Sequence, residues 1–421
     1  MNVGRWAVWG GFALVLLAAP LLFSSSLAVT MLSQIGIAIV ACLSYNMLLG
    51  QGGMLSFGHA VYTGLGAYVA IHALNAMSAG ALPIPVSLLP LVGGVAGMGF
   101  AVLLGYVTTR KSGTPFAMIT LGLAELVFAM SLMVPEFFGG EAGVSGNRVV
   151  GKPVWGISFG PQLQVYYLLA AYTFVCTAAM FAFTRTPLGR MLNAVRDNAE
   201  RVAFVGYDPQ RVRYIAFVIA GFFAGVSGGM YALNFEIATA EVVGAARSGA
   251  YLLFTFVGGA TIFFGPIVGA VLMVLATVLL SEFTKAWLLY LGLLFLFMVM
   301  YAPGGIASLL LMNLRLAAFG RLRALWTAYL ALGAAAMAAL AGAGALVEMV
   351  YHLQLDAALG PTVRYLGATL DIRHVDSWFG AVLVMAVGMA LFELVRRQFV
   401  QQWGEAQAAI ERELSRREDS A

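Results

Sequence analysis

Charge is what this chain lacks most. Only 10% of its 421 residues are Asp, Glu, Lys or Arg, against roughly a quarter in a soluble globular domain. Cysteine is nearly absent: Cys42 and Cys176 both lie inside apolar runs, with no metal-ligand spacing around them. They read as buried packing residues, which removes a disulfide scaffold and a thiolate metal site. Only four histidines occur, and His59 and His72 stand too far apart for the i,i+4 pair of a helical metal site. The chain has no Gly-x4-Gly-Lys-Ser/Thr loop, no His-Glu-x-x-His and no Gly-x-Ser-x-Gly. Those gaps exclude nucleotide binding by a phosphate loop and the zinc- and serine-hydrolase chemistries. No catalytic residue, metal or cofactor is assigned, and the chain reads as something other than an enzyme.

What it has in excess is apolar sequence, 61% of the chain. Runs of roughly 17–25 apolar residues, a length that crosses a bilayer as a helix, recur at 6–23, 27–49, 56–78, 86–108, 114–135, 165–184, 212–235, 249–264, 266–282, 287–303, 325–347 and 378–400. Backbone polar groups in lipid must pair within the chain. The expected fold class is therefore all-α, a polytopic integral membrane helical bundle of about 12 crossings. Arg5 and the run after it resemble a signal peptide, with Ser26-Leu27-Ala28 as a cleavage site. A first span is favoured, because a second run begins at Leu27. The interval 249–282 is either one tilted helix or a hairpin broken around Gly258-Gly259 and Gly265-Pro266. The hairpin places Arg315, Arg321 and Arg323 on the side of the basic loop described next, in keeping with the positive-inside tendency, and puts both termini in the cytoplasm.

The basic loop runs from Arg185 to Arg213 and carries Arg185, Arg190, Arg196, Arg201, Arg211 and Arg213 between two apolar runs. Such clustering marks a cytoplasmic segment and accounts for the net charge of +4 without nucleic acid. The loop is patterned as a helix. Thr186 can cap it, Pro187 suits its first turn, and Leu188, Leu192, Val195, Ala199 and Val202 recur at helical spacing. Arg196–Glu200 and Asp197–Arg201 are i,i+4 pairs on the other flank.

A second informative stretch is Gly50 to Tyr68, where glycines at 50, 52, 53, 58, 64 and 66 alternate with Ser56, Phe57, His59, Tyr62 and Thr63. Glycine at membrane depth either lets helices approach closely or lets the backbone unwind around a cavity. Tight helix crossing and translocation path are both open readings. Gly52-Gly53 with Phe57-Gly58 is loosely echoed by Gly258-Gly259 with Phe264-Gly265, as in transporters with inverted repeats and broken helices. Glu125 sits in the middle of an apolar run, and an intramembrane carboxylate normally faces the bundle interior.

Three stretches together resemble the LivM-type permease subunits of branched-chain amino acid ABC importers: 48–70, LLGQGGMLSFGHAVYTGLGAYVA; 186–208, TPLGRMLNAVRDNAERVAFVGYD; and 256–270, FVGGATIFFGPIVGA. YAPGGI at 301–306 also fits. The resemblance implies a permease core over 1–310; residues 311–421 depart from the family pattern as an extension with two further spans, an outer loop at 348–377 and a charged cytoplasmic tail. It implies that 186–206 is the segment on which an ATPase docks, through Leu188, Gly189, Arg190, Leu192, Val195, Arg196, Asp197 and Glu200. The apolar stripe Leu188–Leu192–Val195 is expected to enter a partner groove; its other reading is that it lies back on the chain's own spans. The translocation-path candidates are Ser56, Phe57, Gly58, His59, Tyr62, Thr63 and Glu125. The implied partners are a second permease subunit in a heterodimer, two ATP-binding subunits and a periplasmic solute-binding protein, around a chain solvated by membrane lipid in a bacterial inner membrane. The substrates implied are branched-chain amino acids or similar small polar solutes such as urea and short amides. The rival function is a stand-alone proton-coupled secondary transporter using Glu125 and His59.

Overall fold

The computed structural model describes residues 3–150, 158–302, 304–320, 322–355 and 360–419, so parts of the loops at 136–164 and 348–377 lie outside the described residues. Helices dominate. In order they are α1 (Val3–Leu22), α2 (Ser26–Gly52), α3 (His59–Ser78), α4 (Leu89–Thr108), α5 (Thr114–Met133), the single turn α6 (Pro135–Phe138), α7 (Gln162–Arg185), α8 (Pro187–Asp197), α9 (Ala199–Phe204), α10 (Pro209–Phe235), α11 (Ala245–Gly258), α12 (Gly265–Leu275), the short α13 (Ser281–Phe283), α14 (Trp287–Tyr301), α15 (Gly305–Ala318), α16 (Leu322–Leu355) and α17 (Val375–Asp419). Two small antiparallel pairs interrupt them: β1 (Val144–Ser145) with β2 (Ile237–Ala238), and β3 (Thr362–Tyr365) with β4 (Ala368–Asp371).

Among the described residues, eight helices are long and apolar enough to cross a membrane, or nine if the bent pair α14–α15 counts as one span. The apolar runs alone predict twelve, and the difference has local causes. The run at 6–23 yields an apolar helix of 17 residues at most, Trp6–Leu22. The run at 56–78 becomes α3, which carries His59, Tyr62, Thr63, His72 and Asn75 and is sheltered by other helices rather than by lipid. The run at 249–264 contributes α11 with 14 residues, about 21 Å of helix against a hydrocarbon core of about 30 Å. The run at 287–303 gives the 15 residues of α14 before a 55° bend.

The chain divides into two compact units, Met1–Leu279 with Leu294–Ala307, and Leu280–Leu293 with Ser308–Ala421. In the first, α10 is the axis, and α2, α3 and α4 pack around it. Small residues make this possible, since lipid supplies no hydrophobic drive between helices and close backbone approach must do the work. A Cβ on Gly225 would fall 2.2 Å from the Gly93 carbonyl oxygen, and one on Gly228 would fall 1.9 Å from that of Thr63. At one end of the bundle β1 and β2 tie Val144–Ser145 to the end of α10. Arg148 holds that join: Nε donates to Phe159 O (2.8 Å), Nη1 to Asn234 O (3.1 Å), and Nη2 to Gly160 O and Gln162 Oε1 (3.1 Å each). Its backbone N–H donates to the Glu236 carboxylate (2.7 Å).

In the second unit α16 and α17 form a long helical pair joined through the β3–β4 hairpin. Glycine again marks the seam, with Gly342 set against the backbone of Met385 and Gly388 against that of Ala339. Glu348 accepts hydrogen bonds from Thr284 Oγ1 and from Tyr290 Oη (3.2 Å), so this carboxylate is held within the unit.

Candidate functional site

The basic loop folds as two helices rather than one. Thr186 caps α8 as expected, its hydroxyl accepting from Gly189 N–H at 3.2 Å, and Pro187 occupies the first turn. Asn198 then adopts an extended backbone (φ −160°, ψ 100°), stops α8 and caps α9 by accepting from Arg201 N–H at 2.9 Å. That break removes the i,i+4 register, so Arg196 and Glu200 do not pair. Arg196 instead meets the neighbouring Asp197 at 3.0 Å. Sequence periodicity ran through Asn198 because its flanking positions keep helical spacing, while the side chain's competition for backbone donors goes unseen.

The apolar stripe faces inward. Leu192 is fully buried, Gly189 and Val195 are buried, and Leu188 is half-buried. They pack on the chain's own helices, chiefly α2, α7 and α10. The expectation that this stripe enters a partner groove is therefore corrected: its hydrophobic face is used up inside the subunit. A Cβ on Gly189 would fall 2.3 Å from the Phe183 carbonyl oxygen, so the glycine serves the α7–α8 corner. Exposed instead are Arg190, Arg196, Asp197, Glu200 and Arg201, together with Phe204, Val205 and Tyr207, which are 89%, 74% and 52% exposed. These last three aromatic and aliphatic side chains were missed by the sequence reading, although FVGY stands at 204–207. Beside them lies a shallow groove of about 390 Å³ lined by Met191, Ala194, Asn198, Arg201, Val205 and Tyr207 among others.

α8 also grips the end of α2. Arg196 Nη1 donates to the Gly50 carbonyl, Asn193 Nδ2 donates to Gln51 Oε1 at 3.0 Å, and Leu192 stands 3.2 Å from where a Gly52 Cβ would be. Here α2 ends through Gly53 at φ +63°, a left-handed cap that glycine adopts freely. Residues 53–58 form a break before α3. An equal break, 259–264, separates α11 from α12 and opens on Gly259 at φ +117°. The last turn of α2 touches the second break: a Cβ on Gly50 would fall 2.2 Å from Ala260 O. The glycine echo thus marks two helix breaks at the same end of the bundle, so the pair is parallel in sense, which corrects the inverted-repeat expectation.

The path candidates of the first break form a sealed knot. Ser44 Oγ and His59 Nε2 lie 2.9 Å apart, Tyr45 Oη donates to Ser56 O (3.0 Å), Phe57 N–H donates to Thr120 Oγ1 (3.1 Å), and Gly58 N–H donates to Ser56 Oγ (3.3 Å). Thr63 Oγ1 donates to Ala60 O, and the His59 and Tyr62 rings stack edge to face. Ser56, Gly58, His59, Tyr62 and Thr63 are all buried, and Phe57 is half-buried. Such packing fixes the α2–α3 corner; it does not line an opening in this conformation. Glu125 is not among these buried side chains. It is exposed on the outer face of α5, beside Leu126 and the open Gly122, contrary to the expected inward orientation. His72 is structural, its Nε2 lying 2.7 Å from Phe137 O.

A cavity of about 130 Å³ opens elsewhere, between α2, α10, α11 and α12. Its single charged lining residue is Arg247, between the rings of Tyr231 and Tyr251 at 5.7 and 5.8 Å. Arg247 stands two residues before the apolar run at 249–264, and an arginine at that place is the one signal of this site in the sequence.

A bundle with buried glycine seams, paired helix breaks and an amphipathic helix clasping one of them is the architecture of a multi-pass membrane permease. The sequence family described as branched-chain amino acid transport system, permease component, matches residues 27–303, and the chain belongs to it. It is similar to the high-affinity branched-chain amino acid transport system permease protein LivM of Salmonella typhimurium, at 28% identity over 302 residues, covering 66% of this chain and 70% of that one. LivM of Escherichia coli is 27% identical with the same coverage. No solved structure matches the chain.

Proposed function

We propose that this chain is one permease subunit of an ATP-driven importer in a bacterial inner membrane, carrying branched-chain amino acids or similarly small polar solutes such as urea and short amides. ATP hydrolysis takes place on two partner subunits. A second permease completes the membrane part, and a periplasmic protein delivers substrate. Residues 1–310 form the permease core in this reading, and 311–421 are an extension.

The observation that carries the proposal is the two-sidedness of α8–α9. One side holds Gly50, Gln51 and Gly52 through Arg196, Asn193 and Leu192. The other presents Phe204, Val205 and Tyr207 with Glu200 and Arg201, apolar anchors with a charged rim of the kind that docks a partner. Arg190 and Asp197 belong to that rim. An ATPase that moves α8 pulls on the end of α2, and through the Gly50–Ala260 contact on the 259–264 break as well. Both breaks then shift together, and access to the membrane path changes side by a rigid-body rearrangement of the kind that switches two-state proteins.

Phe204→Asp with Val205→Asp tests this in the reconstituted complex. The variant is expected to insert normally and to lose leucine uptake and substrate-stimulated ATP hydrolysis together. Undiminished uptake in a well-inserted variant refutes the docking role. The proton-coupled reading is the weaker, because Glu125 is exposed while His59 is buried.

A further inference from the structure

The Arg247 cavity has the chemistry of an anion receptor. Its walls carry one cation and no acidic side chain. The guanidinium lies at cation–π distance from both tyrosine rings and hydrogen-bonds the Tyr251 side chain, which leaves its Nε edge to bind. Nε is buried and has no hydrogen-bond partner. A buried charged donor left unmatched at membrane depth is costly and marks function rather than packing.

Two independent features of the backbone surround the same point. α11 begins at Ala245 behind Gly244, with no side chain capping it, so Arg247 lies in its first turn, at the positive end of the helix dipole. Across the cavity, α12 runs into a stretch of π-helix over Ala276–Leu280 that places Thr277 at the wall. Such bulges recur at functional sites. Gln34 adds an amide, while Ile37 and Val274 supply apolar wall. The volume of about 130 Å³ is many times the roughly 10–15 Å³ that one water needs.

We infer that this cavity binds the carboxylate of a small solute, with Arg247 as the bidentate partner and the short aliphatic group against Ile37 and Val274. A guanidinium edge matches a carboxylate in plane, two N–H groups to two oxygens. Set beside the transport reading, on which it rests for this ligand, the site would receive the α-carboxylate of a branched-chain amino acid during passage. Arg247 is then a binding residue that selects for the carboxyl end.

The experiment uses the purified full chain in nanodiscs and three probes that share an isobutyl group: leucine, isovalerate, which keeps the carboxylate, and leucinamide, which removes its charge. Leucine and isovalerate are expected to raise the melting temperature by a few degrees and leucinamide to leave it unchanged. Arg247→Gln should abolish the shift. Arg247→Lys, which keeps the charge but not the fork, should retain part of it and covers the case in which the glutamine variant does not fold. In the assembled transporter, either variant should raise KM for leucine at least tenfold. Equal stabilisation by leucinamide, or an unchanged KM in both variants, overturns the site. Carboxylate stabilisation lost in the variants, with no leucine transport by the wild-type complex, keeps the site and overturns the transport reading instead.

Discussion

α10 and α17 are both long apolar helices, and they meet opposite surroundings. Of the most apolar stretch of α10, 72% is buried inside the protein; of the corresponding stretch of α17, 11% is. α10 achieves this with Gly221, Gly225, Gly228 and Gly229, which let α3 and α4 approach to backbone contact. α17 has one seam, at Gly388 against α16, and otherwise displays Val382, Leu383, Val387, Leu391 and Leu394. Apolarity is therefore common to both units and does not separate core from periphery. Small residues do, because in lipid the packing of backbones replaces the hydrophobic effect as the force between helices.

Breaking the α10 seam gives the largest effect. Gly228→Leu drives a side chain into a site where even a Cβ would stand 1.9 Å from a backbone oxygen. Overpacking costs about 1–3 kcal/mol when neighbours can adjust, and backbone cannot. The expected outcome is loss of the monodisperse species in size-exclusion chromatography; a stable, monodisperse variant would show that α3 and α10 separate freely. Next comes Gly189→Asp with Leu192→Asp. Leu192 is fully buried under α8, so the variant should be inserted poorly and degraded, at several-fold lower abundance on a membrane immunoblot. Normal insertion with lost transport would return the stripe to a docking role.

The extension sharpens the same contrast. Truncation after Asn313 removes α16 and α17, whose contacts are largely with each other. Copurification of the ATPase is expected to fall by less than about half while α8–α9 stays in place; its complete loss would make the extension part of the docking surface. Gly333→Leu should change least. Nothing lies within 4 Å of a Cβ there, and surface substitutions away from special features stay within about ±0.5 kcal/mol. A lowered melting temperature in this variant would reveal a covered face on α16.

Much of the architecture was written in composition and spacing. The apolar runs place most helices to within a few residues, since a helix in lipid needs length and apolarity and little else. Thr186, Pro187 and the glycines at 53 and 259 announce their caps and breaks. Four things did not show. The helix at 59–78 has the length of a span, and its near-complete burial among other helices does not show in the run itself. Asn198 splits a segment whose periodicity is unbroken. The stripe on α8 has the pattern of a docking helix and is spent on its own bundle. Glu125 points outward.

By itself, then, the sequence determined that this is an all-helical membrane protein, where its basic loop and helix breaks lie, and which family it resembles. Those features depend on local propensity, on the length of apolar runs and on charge, all of which are carried by neighbouring residues. Only the tertiary structure decided which face of each helix is occupied. An amphipathic stripe, a mid-span carboxylate or a lone arginine has the same sequence whether it meets lipid, a partner or its own chain. The packing of α8 on Gly50–Gly52, the contact of Gly50 with Ala260 and the enclosure of Arg247 between Tyr231 and Tyr251 join residues far apart in the chain. No local pattern encodes that distance.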